Sequence, residues 1–198
     1  MPEDESISRV VRNGLFLAAS RTYGEQYIEP FVRAWYGFAP GRGGAVDAVD
    51  RHGRLYEVKA CKVLHASVNR RGTRTLLERV MYEIDNVTTN RMVPFAEAKT
   101  ASYDANVQNV KRDHFDVLIY VLLFEDCVKI FWADRDEIRT GDFLGWSDKH
   151  GRYDAHGKSG QFAVNRNTIQ WHLDNHLKET VTYEEVAETL ARVAEDGA

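Results

Sequence analysis

The sequence predicts an α+β fold, a small mixed sheet with helices around it. Three observations carry this. FDVLIYVLLF, residues 115–124, is a nearly unbroken apolar run rich in β-branched residues, the mark of a strand buried on both faces. VKIFWA, 128–133, follows across the short turn Glu125-Asp126 and reads as its neighbour. Around these lie segments with helical spacing and capping signals, and there is no internal repeat, low-complexity tract or linker. At 198 residues the chain suits one domain, residues 1–198, with a core at about 20–135 and an accessory segment at 139–198.

The elements follow in order. Ile7, Val10, Val11, Leu15 and Leu17 predict a helix over 5–20. TYGE offers a capping box, Thr22 with Glu25, for a second helix. Pro30 should kink or end that helix. FAPGRGG, 38–44, reads as a loop. A hairpin occupies 46–60. A polar loop at 65–74 leads into an amphipathic stretch at 75–85. Val107 and Val110 predict a helix over 104–113, and the Gly-, Asp- and His-rich 139–165 predicts an irregular excursion. Thr182 and Glu185 form a second capping box, opening a last helix with Val186, Leu190 and Val193 on one face.

Composition narrows the classes. No apolar run approaches the roughly 18 residues of a membrane span. MPEDESIS is acidic and lacks the basic start and apolar stretch of a signal peptide, so the expectation is a cytoplasmic chain. Cys61 and Cys127 lie far apart in apolar segments, without zinc-site spacing, and read as reduced core residues. The net charge of −4 does not advertise nucleic acid, yet basic residues cluster locally, as in NRRGTR at 69–74.

The hairpin GGAVDAVDRHGRLYEVKACK, 43–62, holds the most informative residues. With Arg51-His52-Gly53 as its loop and Gly53 left-handed, Asp50 pairs with Arg54, Val49 with Leu55, and Asp47 lies opposite Glu57. Glu57 and Lys59, two apart, share a face with Asp47. Val46, Ala48, Tyr56, Val58 and Ala60 would line the other, core-facing side. Slipping the register by one residue would send Asp47 to the opposite face. Two carboxylates this close repel unless a cation lies between them. Carboxylates and waters suit Mg²⁺, which also binds phosphate oxygens, and a neighbouring lysine can offset transition-state charge. A surface hairpin carrying an Asp–Lys or Glu–Lys ion pair would have the same string.

Asp47, nine intervening residues, then Glu57-Val58-Lys59 resembles the PD-(D/E)XK nuclease motif of type II restriction endonucleases and Holliday-junction resolvases. The resemblance spans residues 20–63 and implies a restriction-endonuclease-like α/β/α sandwich with a central mixed sheet. It implies Asp47 and Glu57 as Mg²⁺ ligands, the Val58 carbonyl as a further ligand, and Lys59 as the catalytic lysine. Glu25, in GEQYIEP, stands where the family often has a helical glutamate. Val46 replaces the proline of the motif. The implied activity is a DNA endonuclease that leaves 5′-phosphate and 3′-hydroxyl ends, of sequence-specific restriction type. A structure-specific repair nuclease, or a binding module that kept the fold, are the alternatives.

Double-stranded DNA would be the partner, and two sites for two strands imply a homodimer. Arg70, Arg71 and Arg74 in NRRGTR, Asn86, Asn90 and Arg91 in IDNVTTNR, and Lys149 and Lys158 in the glycine-rich segment are the candidate DNA contacts. His172 and His176 are spaced for one helix face but lack an accompanying metal-binding pattern, so they read as satisfied or solvated histidines.

Overall fold

The computed structural model describes residues 24–41, 46–66, 91–111, 113–139, 143–147 and 159–196. The expected helix at 5–20, the amphipathic stretch at 75–85 and most of the loop at 65–74 lie outside the described residues.

A π-helical turn, Gly24–Ile28, runs into helix α1, Glu29–Tyr36. Pro30 lies in the first turn of α1, where its missing N–H has no helical partner to lose, so it starts the helix rather than ending one. Gly37 at φ 68° closes α1 with a left-handed cap. The main sheet is then built from β1 (Ala39–Pro40), β2 (Ala48–Val49), β3 (Leu55–Lys62), β5 (Val117–Leu123), β6 (Val128–Asp134) and β8 (Leu177–Val181), hydrogen-bonded in that order. β3 and β5 run parallel, and the other pairs are antiparallel. The sheet is mixed and the class is α+β, as the sequence predicts. β1 is a short strand inside the expected loop.

β5 is buried at every residue, because both faces of the sheet are covered. Val117, Ile119 and Val121 point to one side, where Ile28 of the π-helical turn and Phe31 and Val32 of α1 meet Tyr183 and Val186. The latter two belong to the C-terminal helix α4, Tyr183–Asp196, whose predicted capping box forms. The Thr182 N–H donates to Glu185 Oε2 at 2.7 Å, and the Glu185 N–H donates to Thr182 Oγ1 at 3.2 Å.

Leu118, Tyr120 and Leu122 point to the other side. A two-stranded sheet covers them: β4 (Asp104–Val110) against β7 (Gly160–Asn165). The helix α3, Ile169–His176, completes this layer, and a one-turn helix α2, Arg135–Arg139, follows β6. Both strands correct sequence expectations. Residues 104–110 are not helical, since Ala105 and Val107 alternate with exposed neighbours. Asn109, at φ 58°, then adds one residue, so that Val107 faces Phe162 but Val110 faces Gly160. That bulge spaces two inward valines by three, which imitates a helix. Residues 160–165 form an ordered strand, not part of a long irregular excursion. Through β8 and α4, the C-terminal segment contributes to the main sheet and its helical cover.

Both cysteines are free thiols, each pushed up to about 12 by burial. No helix among the described residues is long and apolar enough to cross a membrane.

Candidate active site

The hairpin turn takes the predicted form. Gly53 adopts φ 84°, its N–H donates to the Asp50 carbonyl at 3.0 Å, and the Asp50 N–H donates to the Arg54 carbonyl at 3.1 Å. The Asp50 carboxylate locks the turn by accepting the N–H groups of His52 and Arg54. Val49 pairs with Leu55 and Ala48 with Tyr56, so the register is the one that sets Asp47 against Glu57.

The pairing ends at Ala48, and this shapes the site. Asp47 lies in a bend, and its N–H donates to the Tyr56 carbonyl at 3.1 Å. The alternation of faces breaks there. Val46 therefore packs with the core on the Glu57 side, not with Tyr56 and Val58 as the sequence suggested. The Asp47 side chain turns along the edge of β3, where Oδ2 accepts the Val58 N–H at 2.7 Å. Leu55 and Val63 bond toward β5, so by strand parity the Val58 N–H and C=O face the opposite edge, the one Asp47 occupies.

Lys59 closes the group. Its Nζ donates to Glu57 Oε1 and lies 4.0 Å from Asp47 Oδ2. Glu57 is only 5% exposed. Burial pushes its carboxyl above the usual range; Lys59 and Lys111 pull it down, and Asp47 pushes it up. Asp47, Glu57, Lys59 and the backbone of Val58 thus meet at one edge of one strand.

The other predicted residues fare differently. Glu25 is exposed on the π-helical turn. One turn on, Glu29 is the helical carboxylate that feels the site: burial and the charge of Asp47 push it up to about 7, against the pull of Lys59 and Arg33. Arg33, one more turn along, has Nη1 3.4 Å from the Asp47 carbonyl and 3.9 Å from Glu29 Oε2. Glu25, Glu29 and Arg33 are spaced by four in the sequence, which is the signal that could have singled out Glu29 and Arg33. Lys111, just after β4, is the other site neighbour missed by local spacing. Arg91 is half-buried, and its Nη2 donates to the His65 carbonyl at 3.0 Å, tying two chain segments together. Arg70, Arg71, Arg74, Asn86, Asn90, Lys149 and Lys158 lie outside the described residues.

Among the described residues, no three His, Cys, Asp or Glu side chains cluster closely enough to hold a metal by themselves. Glu29 therefore does not complete a three-carboxylate set. The donors at hand are two carboxylates and a backbone carbonyl on one edge, one carboxylate being buried and incompletely neutralised. Such a set fits a hard cation that keeps several waters and takes further oxygens from a phosphate. It does not fit a closed zinc site.

Gly41 sets where Asp47 stands. Its N–H lies 3.3 Å from the Asp47 carbonyl, and a Cβ on it would come 1.9 Å from the Val46 carbonyl oxygen. Backbone is in the way, so Gly41→Ala must push Val46 and Asp47 aside. Given that a misplacement of about 1 Å can cost about 100-fold in rate, any reaction carried by this site should slow on that scale in the variant. Single-turnover rates beside thermal melts would check this, and parental rates in the folded variant would exclude it.

No protein-family model matches this chain, and no curated protein matches it.

Proposed function

We propose that this chain is a Mg²⁺-dependent DNA endonuclease that hydrolyses phosphodiester bonds to 5′-phosphate and 3′-hydroxyl ends. One observation carries the reading: Asp47, Glu57 and Lys59 converge on the edge of β3 to which the Val58 carbonyl is directed. An ordinary surface ion pair needs no buried glutamate, and two neighbouring carboxylates, one of them buried, carry one more negative charge than the single ammonium of Lys59 offsets.

Asp47, Glu57 and the Val58 carbonyl would hold the Mg²⁺. When bound, the ion supplies Lewis-acid polarisation of the phosphoryl oxygens and makes a coordinated water more acidic. Lys59 stands within reach of both carboxylates and places its charge where the attacked phosphate gains negative charge. The Val58 N–H fixes the Asp47 rotamer, and the contacts of Gly41 and Arg33 with the Asp47 carbonyl fix its backbone. The restriction-type reading includes a homodimer, since cutting both strands in one encounter requires a site for each.

The test is direct. Purified protein is incubated with varied phage and plasmid DNA and Mg²⁺, and the ends are sequenced. Discrete recurring sites support the restriction type, and cleavage confined to branched DNA supports the structure-specific one. No cleavage of any of these DNAs at any Mg²⁺ concentration would overturn the reading.

A further inference from the structure

We infer that the cavity beneath the hairpin turn is a subsite for an unpaired nucleobase, one nucleotide away from the phosphate that the Asp47–Glu57–Lys59 group would cut. The inference rests on the nuclease reading for its position and on the cavity's own chemistry for its occupant.

The position follows from strand parity. Leu55 and Glu57 are two apart on β3 and project from the same face, roughly 7 Å from each other. Val49 faces Leu55 across the hairpin, and Val46, next to Asp47, packs on the same side. These three residues are the apolar walls of a cavity of about 450 Å³. The turn after β4 forms the facing wall, its His114 N–H donating to the Lys111 carbonyl at 3.0 Å. His114 lines the cavity, while the charge of Lys111 acts on Glu57. The bowl thus lies beside β3 with Leu55 in its wall, two residues from Glu57 on the same strand face, a separation of about one nucleotide.

The occupant follows from the lining. The volume falls in the range of small-molecule sites and accommodates a base with its sugar. Val46, Val49 and Leu55 suit the face of a planar ring. Arg51 and His114 stand at the rim, side-chain types that stack on an unpaired base or bond its edge. Asp50 also lines the cavity; its carboxylate is turned to the N–H groups of His52 and Arg54 and to the Tyr56 hydroxyl, and the charge of Arg51 in the same lining offsets its own. A base held in a duplex stack cannot enter. The substrate must offer a base that is single-stranded or turned out of the helix.

The experiment uses the full chain with ¹³C-labelled valine and leucine methyls, without divalent metal. Deoxyadenosine 5′-monophosphate should shift the methyls of Val49 and Leu55, whereas deoxyribose 5-phosphate should not. Leu55→Trp fills the bowl and should weaken the nucleotide response at least tenfold. Arg51→Ala, at an exposed position, should weaken it in a chain whose fold is not at risk. Equal responses to both ligands, shifts that spare both methyls, or affinity unchanged in a folded variant would overturn the subsite. The same samples assayed for cleavage separate the two readings. A base response without cleavage of any DNA keeps the base site and removes the nuclease, and cleavage without a base response removes the subsite alone.

Discussion

Replacing Lys59 by alanine is expected to reduce DNA cleavage about 10²–10³-fold, the usual cost of removing one group that stabilises transition-state charge. The loss should have a second component, because Lys59 also acts on the ground state. Its ammonium contacts Glu57 Oε1 and is the largest influence drawing that buried carboxyl down, against burial and Asp47. Without it Glu57 holds its proton to higher pH, and a protonated carboxyl is a poor ligand for Mg²⁺. The variant should therefore need more Mg²⁺ for half-maximal rate, and the excess should shrink as pH rises. Lys59→Arg keeps the charge but not the compact ammonium, so it should restore the Mg²⁺ requirement better than the rate. Single-turnover rates across Mg²⁺ concentration and pH, with melting curves for folding, measure both components. A folded Lys59→Ala that cuts at the parental rate would remove Lys59 from the chemistry.

The three central residues were legible because their relation is local. A turn of known geometry fixes the register, and register fixes which strand positions sit together. What sequence spacing could not supply was the break in alternation at Asp47. It comes from the end of pairing at Ala48 and from contacts with Gly41 and Arg33, the latter from another element. The same limit applies to Glu29. The resemblance points to Glu25, which a capping box with Thr22 would equally explain, but a π-helical turn sets the phase in which α1 begins, and Glu29 is the carboxylate that feels the charge of Asp47. In the fold, β5 and β6 were readable because burial on both faces leaves a continuous apolar run. β4 was not, since a single bulge at Asn109 converts period two into an apparent i, i+3 spacing. The partner that decides between the two, β7, begins fifty residues beyond the end of β4.

Acid should expose a stabilising histidine, but only once an opposing carboxyl is removed. His172 is fully buried, with Nδ1 2.8 Å from the Tyr120 hydroxyl and its ring stacked on Phe162. Burial, helped by the neighbouring His176, pushes it down to about 3 from 6.5. The unfolded chain then takes a proton below pH 6.5 that the native state refuses, so stability falls as pH drops from about 6.5 to 3. Glu29 works the other way. Its carboxyl is raised from 4.5 to about 7, so the native state holds a proton that the unfolded chain has released. Its contribution is full below pH 4.5 and is lost as pH rises through about 7. Each slope is at most about 1.4 kcal/mol per pH unit, and between pH 4.5 and 6.5 the two oppose each other. The parent chain should accordingly show little contribution from this pair in that window. Glu29→Gln leaves the histidine unopposed and should lose about 2 kcal/mol between pH 6.5 and 5. His172→Phe keeps the aromatic packing but loses the Tyr120 bond, about 1 kcal/mol near neutrality. It should reverse the dependence, becoming more stable as pH falls toward 4.5. Urea denaturation at half-unit pH steps reads both slopes. If the two variants show the same dependence on pH, these groups do not carry the proton linkage of folding.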